Sequence, residues 1–287
     1  MDTKELLDEL DLLYEKRLYD EVENFLLSKI KESKEENDRR SEITLLNELM
    51  GFYRTSSRNK ELIDLCDYTI SLLKEIGLEG TVAYATSALN AATAYREVGK
   101  VDKSLQYYGE VLKTYKAALP EYDMRFASLY NNMSIACNEK KHYEEAFALL
   151  SKALAIVVKN EGTETEEATT YSNMAKCLMK MNKLQEASKY AKKSLAIFEK
   201  KSGQKDFHYS ASLSAMGEIQ FIQGNYEEAL KYFNHSLSEI ENTIGKNSYY
   251  AITLSNISSA YDKLNNKEQR DKYKSEADEI FNKIKCD

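Results

Sequence analysis

The sequence repeats itself every 41 or 42 residues, and a chain built this way must stack one small structural unit upon the next rather than close around a single core. The segments Tyr143-Glu144-Glu145-Ala146, Leu184-Gln185-Glu186-Ala187 and Tyr226-Glu227-Glu228-Ala229 share an aromatic or Leu, two polar residues and Ala. Taking the last residue of each as an anchor, the register extends to Leu62, Ser104, Ala146, Ala187, Ala229 and Arg270, with a weaker copy at Val22. Twelve residues before the anchors stand Met50, Ala92, Ser134, Ala175, Gly217 and Ser258, and seven after them Thr69, Val111, Ala153, Ser194, Ser236 and Ala277. Most of these are small, as antiparallel helices need where they approach closely, while larger neighbours fill the remaining groove.

The large residues recur on the same clock. Tyr53, Tyr95, Cys137, Leu178 and Tyr261 share one position, and Tyr130, Tyr171, Leu213 and Leu254 another seven residues earlier, which marks one buried face per helix. The 21 tyrosines are therefore read mostly as core residues with a polar tip rather than as a nucleic-acid stacking platform. Gly99 and Gly224 mark the turn inside a repeat, with Ser57, Lys141, Asn182 and Asn265 in their place elsewhere. Pro120, Gly162, Gly203 and Gly245 stand sixteen residues after four anchors, where the second helix must stop. Asp20, Asn59 and Asp102 follow the inner turn and are read as N-caps. The resulting expectation is an all-α solenoid of antiparallel pairs near 3–35, 38–76, 81–117, 122–160, 165–201, 206–243 and 248–284, forming one domain over 1–287. Residues 1–37 form a divergent first pair and 267–284 a charged capping helix.

Composition agrees. One proline and ten glycines cannot punctuate a β-sandwich or a string of linked domains. The longest apolar run, Ala153–Val158, is far short of the roughly 20 residues that span a bilayer. The start, Met1-Asp2-Thr3-Lys4-Glu5, has no apolar signal region, so a cytoplasmic protein without a membrane partner is expected. The net charge of −7 sits mostly in residues 1–42, with 14 acids and 8 bases, and no basic stripe points to nucleic acid.

These positions resemble those of tetratricopeptide-repeat proteins over residues 38–284, most closely in Ile219–Phe233. The period exceeds that family's usual length of about 34 and is similar to the longer repeats of kinesin light chains, where an Asn also recurs midway along the first helix. There is no tryptophan at the early aromatic position, and the end-of-repeat proline survives only as Pro120. The resemblance implies a right-handed α-solenoid of antiparallel helix pairs whose first helices line a concave groove.

On that surface, Asn90, Asn132, Asn173 and Asn256 share one position, where Glu48 and Ala215 stand in the other repeats. Asn47 and Asn131 lie one residue earlier in the register, and Arg54, Arg96 and Phe221 further along the face. An Asn ladder either clamps the backbone of an extended peptide or fixes the stacking of repeats. Arg54 and Arg96 would suit an acidic or carboxylate group and Phe221 an apolar one, unless the arginines form ordinary ion pairs, Arg96 with Glu97. Catalytic and metal signals are poor. His142, His208 and His235 have no ligand spacing, there is no CxxC among Cys66, Cys137, Cys177 and Cys286, and Gly245-Lys246-Asn247-Ser248 lacks the rest of a phosphate loop. The expected function is a non-catalytic adaptor or scaffold that binds a peptide or protein segment, without metal or cofactor. The alternatives are a peptide-sensing bacterial regulator module and a structural homo-oligomer; an enzyme would need converging groups that the sequence does not assemble.

Overall fold

The computed structural model describes residues 3–16, 18–200 and 207–286, and every regular element among them is a helix. In chain order these are α1 (Thr3–Glu15), α2 (Tyr19–Glu35), α3 (Arg39–Thr55), α4 (Asn59–Glu75), α5 (Val82–Glu97), α6 (Val101–Ala118), α7 (Met124–Glu139), α8 (Tyr143–Val157), α9 (Glu164–Lys180), α10 (Leu184–Lys200), α11 (Phe207–Ile222), α12 (Tyr226–Thr243), α13 (Ser248–Lys263) and α14 (Lys267–Cys286). Odd and even helices alternate as the first and second members of antiparallel pairs. This is a helical-repeat solenoid.

The turn within each of the six pairs from α3/α4 to α13/α14 is made by the backbone. Ser57, Gly99, Lys141, Asn182, Gly224 and Asn265, which the repeat register aligns, all have positive φ, between 57° and 85°. One residue later, the N–H of Arg58, Lys100, His142, Lys183, Asn225 or Asn266 donates back to the carbonyl of Tyr53, Tyr95, Cys137, Leu178, Gln220 or Tyr261, closing the first helix in a Schellman pattern. The carbonyl of that same residue then accepts from the anchor N–H four positions on, opening the second helix; Leu62 to Arg58 and Ala146 to His142 are examples. One residue thus ends one helix and begins the next.

That economy corrects the N-cap expectation. Leu18 and Arg58 hold the N-cap positions of α2 and α4 without a side-chain bond, so Asp20 and Asn59 fall inside the first turn, as does Asp102 in α6. Side-chain caps occur instead at the starts of α3, α5, α7 and α13. Asp38, Thr81, Asp123 and Asn247 accept from the N–H groups of Ser41, Tyr84, Arg125 and Tyr249, respectively. Of the repeat-end residues, Gly162 and Gly245 have positive φ, and Gly203 lies outside the described residues.

The small positions are the close approaches. Ala92, Ser134, Ala175, Thr69, Ala153, Ser194 and Ser236 are wholly buried. Facing residues compensate for size: Met50 meets Cys66, whose Sγ lies 3.6 Å from the Met sulfur, whereas Gly217 meets the ring of Phe233. Buried hydroxyls tie helices together as well. Ser194 Oγ donates to the Ala168 carbonyl at 2.6 Å, and Ser236 Oγ to the Ser210 carbonyl at 2.8 Å.

The chain divides into two compact units. Residues 1–114 hold α1 to α5 and most of α6; residues 115–287 hold the end of α6 and α7 to α14. Within each unit first helices touch the next first helix, α3 to α5 in one and α7 to α9, α11 and α13 in the other. This contact brings residues about 42 apart in sequence side by side.

Candidate functional site

Two copies of one side-chain network join neighbouring first helices, one in each unit. In residues 1–114, Asn47 of α3 donates through Nδ2 to the Ile43 carbonyl at 2.8 Å and to Ser87 Oγ of α5 at 2.9 Å, and its Oδ1 accepts from Asn90 Nδ2 at 2.9 Å. In residues 115–287, Asn131 of α7 donates to the Ala127 carbonyl at 3.1 Å and to Thr170 Oγ1 of α9 at 2.9 Å, and accepts from Asn173 Nδ2 at 3.0 Å. Both amide hydrogens of the inner Asn are spent. Each outer Asn, Asn90 or Asn173, keeps one N–H and its carbonyl oxygen for another partner, in an orientation set by the inner one.

Why only these two pairs form follows from the register. An outer Asn finds an acceptor only if the preceding repeat carries Asn at the inner position. The repeat before Asn132 has Leu89 there, which offers none, and Asn132 donates to its own helix at the Ser128 carbonyl, 3.0 Å away. The repeat before Asn256 has Ser214 in place of an inner Asn, and its hydroxyl donates to Ser236 Oγ at 3.0 Å. Ser87 and Thr170 were not singled out from the sequence; the signal was a hydroxyl residue seventeen positions before the anchor.

Three sequence-predicted residues converge. Asn47, Arg54 and Asn90 line a small pocket of about 40 Å³ with Met50, Gly51, Leu62 and Thr93. Arg54 is exposed and has no ion-pair partner among the described residues. Thr93 is occupied, donating to the Leu89 carbonyl at 3.0 Å and lying 3.1 Å from the Tyr108 hydroxyl. Arg96 does not join this pocket. Its side chain is 12% exposed and pairs with Glu97 at 3.1 Å. Phe221 is half-buried, edge-on to Tyr226 with centroids 5.4 Å apart and packed on the cluster of Ala229, Leu230 and Phe233, while its neighbour Ile222 is 52% exposed.

Glu48, which holds the ladder position in α3, faces a different environment. Burial, then the nearby Asp11 carboxylate, raises its pKa, and burial with Glu48 and other neighbours pushes Tyr14 up to about 12. Burial likewise pushes the thiols up, Cys66 to about 12 and Cys137 and Cys177 to about 11. Cys177 is wholly enclosed; the side chain of Cys286 lies outside the described residues. Among the described residues no group of three or more His, Cys, Asp or Glu is placed to hold a metal ion, and no helix is long and apolar enough to cross a membrane.

Comparison with known proteins fits this geometry. Among curated proteins, the chain is 25% identical over 233 residues to Protein KINESIN LIGHT CHAIN-RELATED 3 of Arabidopsis thaliana, a match covering 79% of this chain and 36% of that protein. A second, KINESIN LIGHT CHAIN-RELATED 2 of the same plant, is 26% identical over 159 residues, covering 52% of this chain and 23% of that protein. The chain thus spans about a third or less of the length of these relatives. Among solved structures, NprR in complex with its cognate peptide NprX has a TM-score of 0.70 at 19% identity, covering 94% of this chain and 76% of that one. A Rap protein complexed with competence and sporulation factor has a TM-score of 0.62 at 16% identity, covering 99% and 98%. BtubC (BKLC) from P. vanneervenii has 0.57 at 16% identity, covering 79% and 92%. At these identities the structural likeness is one of fold. Family profiles described as tetratricopeptide repeat match residues 85–121, 125–200 and 209–269, more than half of the sequence, and the chain belongs to the tetratricopeptide-repeat family.

Proposed function

We propose that this protein is a non-catalytic, cytoplasmic adaptor that binds an extended peptide, free or as part of a larger protein, on the exposed face of its first helices. The observation that carries the reading is the pair of oriented outer amides. Asn90 and Asn173 each retain one donor and one acceptor, the complement of a peptide unit's C=O and N–H, and each is held in that orientation by a neighbouring Asn. Such a contact grips a backbone without reading its side chains, so selectivity falls to other residues of the same unit: to Arg54 for an acidic group in residues 1–114, and to the exposed Ile222 beside Phe221 for an apolar one in residues 115–287. The solved structures of NprR with NprX and of a Rap protein with competence and sporulation factor lend support, because proteins of this fold are there in complex with a cognate peptide or a factor. They also favour a second reading, in which the ligand is a signalling peptide and the chain is the sensing part of a regulator.

The test is affinity capture from the source cell on the immobilised chain, repeated with Asn90→Ala/Asn173→Ala. Each substitution removes one inter-helix hydrogen bond, worth about 1 kcal/mol, so the fold should survive. Partners retained by the native chain and lost by the folded double variant support the reading; partners retained equally by both refute it.

A further inference from the structure

The net charge of −7 hides a local reversal. Residues 176–200 carry seven lysines against two acids, whereas residues 5–21 carry seven acids against one lysine and one arginine. α8 and α10 meet through Phe147 and Tyr190, whose rings lie edge-on with centroids 6.4 Å apart. Away from their buried sides these helices expose Lys152, Lys189, Lys192, Lys193 and Lys200, and Lys159 follows just beyond α8.

None of these six lysines pairs with a carboxylate among the described residues. Three lean on aromatic rings instead: Lys152 lies 5.8 Å from the Tyr130 centroid, Lys159 3.4 Å from that of Tyr122 and Lys193 5.0 Å from that of Tyr171. A ring holds an ammonium group in place without neutralising it. Glu144, Glu145 and Glu186 lie in the first turns of the two helices and Glu199 in the last turn of α10, so carboxylates border the lysine face rather than cover it. Between the lysines stand exposed Ala148, Ala155 and Ala196, and Val158 is 57% exposed.

The first helix pair carries the opposite arrangement. Leu12 and Leu18 are 51% and 37% exposed. Asp8, Glu9 and Glu15 stand four and three residues before Leu12 and three after it, which makes them its neighbours on the surface of α1, and Asp20 and Glu21 follow Leu18. All five acids are exposed, and none forms an ion pair among the described residues. Each surface thus offers exposed apolar side chains within charges of one sign, and the signs are opposite.

We infer that the lysine face of α8 and α10 docks the acidic α1–α2 end of a second copy of this chain. The two surfaces differ, so the contact is heterologous: a pair joined once keeps one free surface of each kind, and association continues beyond two copies unless the ends close. The contact uses neither Asn90 nor Asn173 and is independent of the peptide-binding reading.

Sedimentation velocity of the whole chain between about 1 and about 300 μM, at about 50 mM and about 500 mM salt, tests this. The mean mass should rise above the monomer with concentration at low salt, and association should weaken about tenfold or more at high salt. Lys189→Gln/Lys192→Gln/Lys200→Gln, which removes no lysine that leans on a ring, and Asp8→Asn/Glu9→Gln/Glu15→Gln should both keep the native circular dichroism, and each should self-associate about tenfold more weakly. Mixed in equal amounts, the two variants retain one intact contact, between the acidic end of the first and the lysine face of the second, so they should associate as tightly as the native chain and stop at a dimer. A monomer at every concentration in low salt, association that salt or either variant leaves unchanged, or a mixture that associates no better than its components overturns the inference. So does a monomer whose lysine face binds phosphatidylserine vesicles or poly-glutamate instead.

Discussion

Gly217→Ala should destabilise the protein, although alanine is the better helix former. Glycine to alanine in a helix interior gains about 1 kcal/mol. At Gly217 of α11, however, the new Cβ would lie 2.5 Å from Phe233 Cε1 and 2.6 Å from Cδ1, where carbon atoms ordinarily approach to about 3.5–4.0 Å. The ring has no room to retreat: Phe233 is 1% exposed and enclosed with Ala229, Leu230, Ile257 and Ala260. Forcing an extra carbon into a packed core costs about 1–3 kcal/mol, and an overlap near 1 Å against a confined ring belongs in the upper half of that range. The net expectation is a loss of about 1–2 kcal/mol, equivalent to a melting point lower by about 2–8 °C for a chain of this size. Urea denaturation followed by circular dichroism measures it. Phe233→Leu should relieve the overlap, so the double variant should be more stable than the sum of the single effects by about 1 kcal/mol or more. A Gly217→Ala protein as stable as the native chain, or additivity of the two substitutions, would refute the argument that Gly217 is there to admit the ring.

Three further outcomes follow from the same structure. Lys141→Gly should raise stability by about 1 kcal/mol in the same denaturation assay, because Lys141 holds φ 64° in a turn that glycine adopts without steric cost. Glu48 has a folded-state pKa above its unfolded value, so the folded chain binds the extra proton and stability falls as pH rises from the unfolded value through the folded one. Glu48→Gln should therefore be more stable than the native chain at neutral pH, and melting curves between pH 4 and 7 should lose that part of their slope. Cys66, Cys137 and Cys177 should resist a thiol reagent at pH 8 until the chain is unfolded, since all three are buried and their pKa values lie at about 11 to 12; peptide mapping of the labelled sites distinguishes them from other thiols.

The sequence by itself determined the helix pairs. A turn residue, a small contact residue and a buried aromatic each act on neighbours within a few positions or across one hairpin, so their spacing is legible along the chain. Ser57, Lys141, Asn182 and Asn265 were placed at the inner turns with no glycine to mark them, and all four have the left-handed backbone that the turn requires. The failed N-cap expectation for Asp20, Asn59 and Asp102 is instructive in the same terms: the residue types suited a cap, but the backbone bond that closes the preceding helix had already fixed where the next one starts. What the sequence could not decide is which ladder residues act together. Asn90, Asn132, Asn173 and Asn256 are equivalent in the register, yet only Asn90 and Asn173 meet an inner Asn on the neighbouring first helix. Arg54 and Arg96 look alike on paper, and one is exposed at a pocket while the other is mostly buried against Glu97. These differences arise between helices about 42 residues apart, where the outcome depends on how two different surfaces pack, and only the tertiary structure brings those surfaces together.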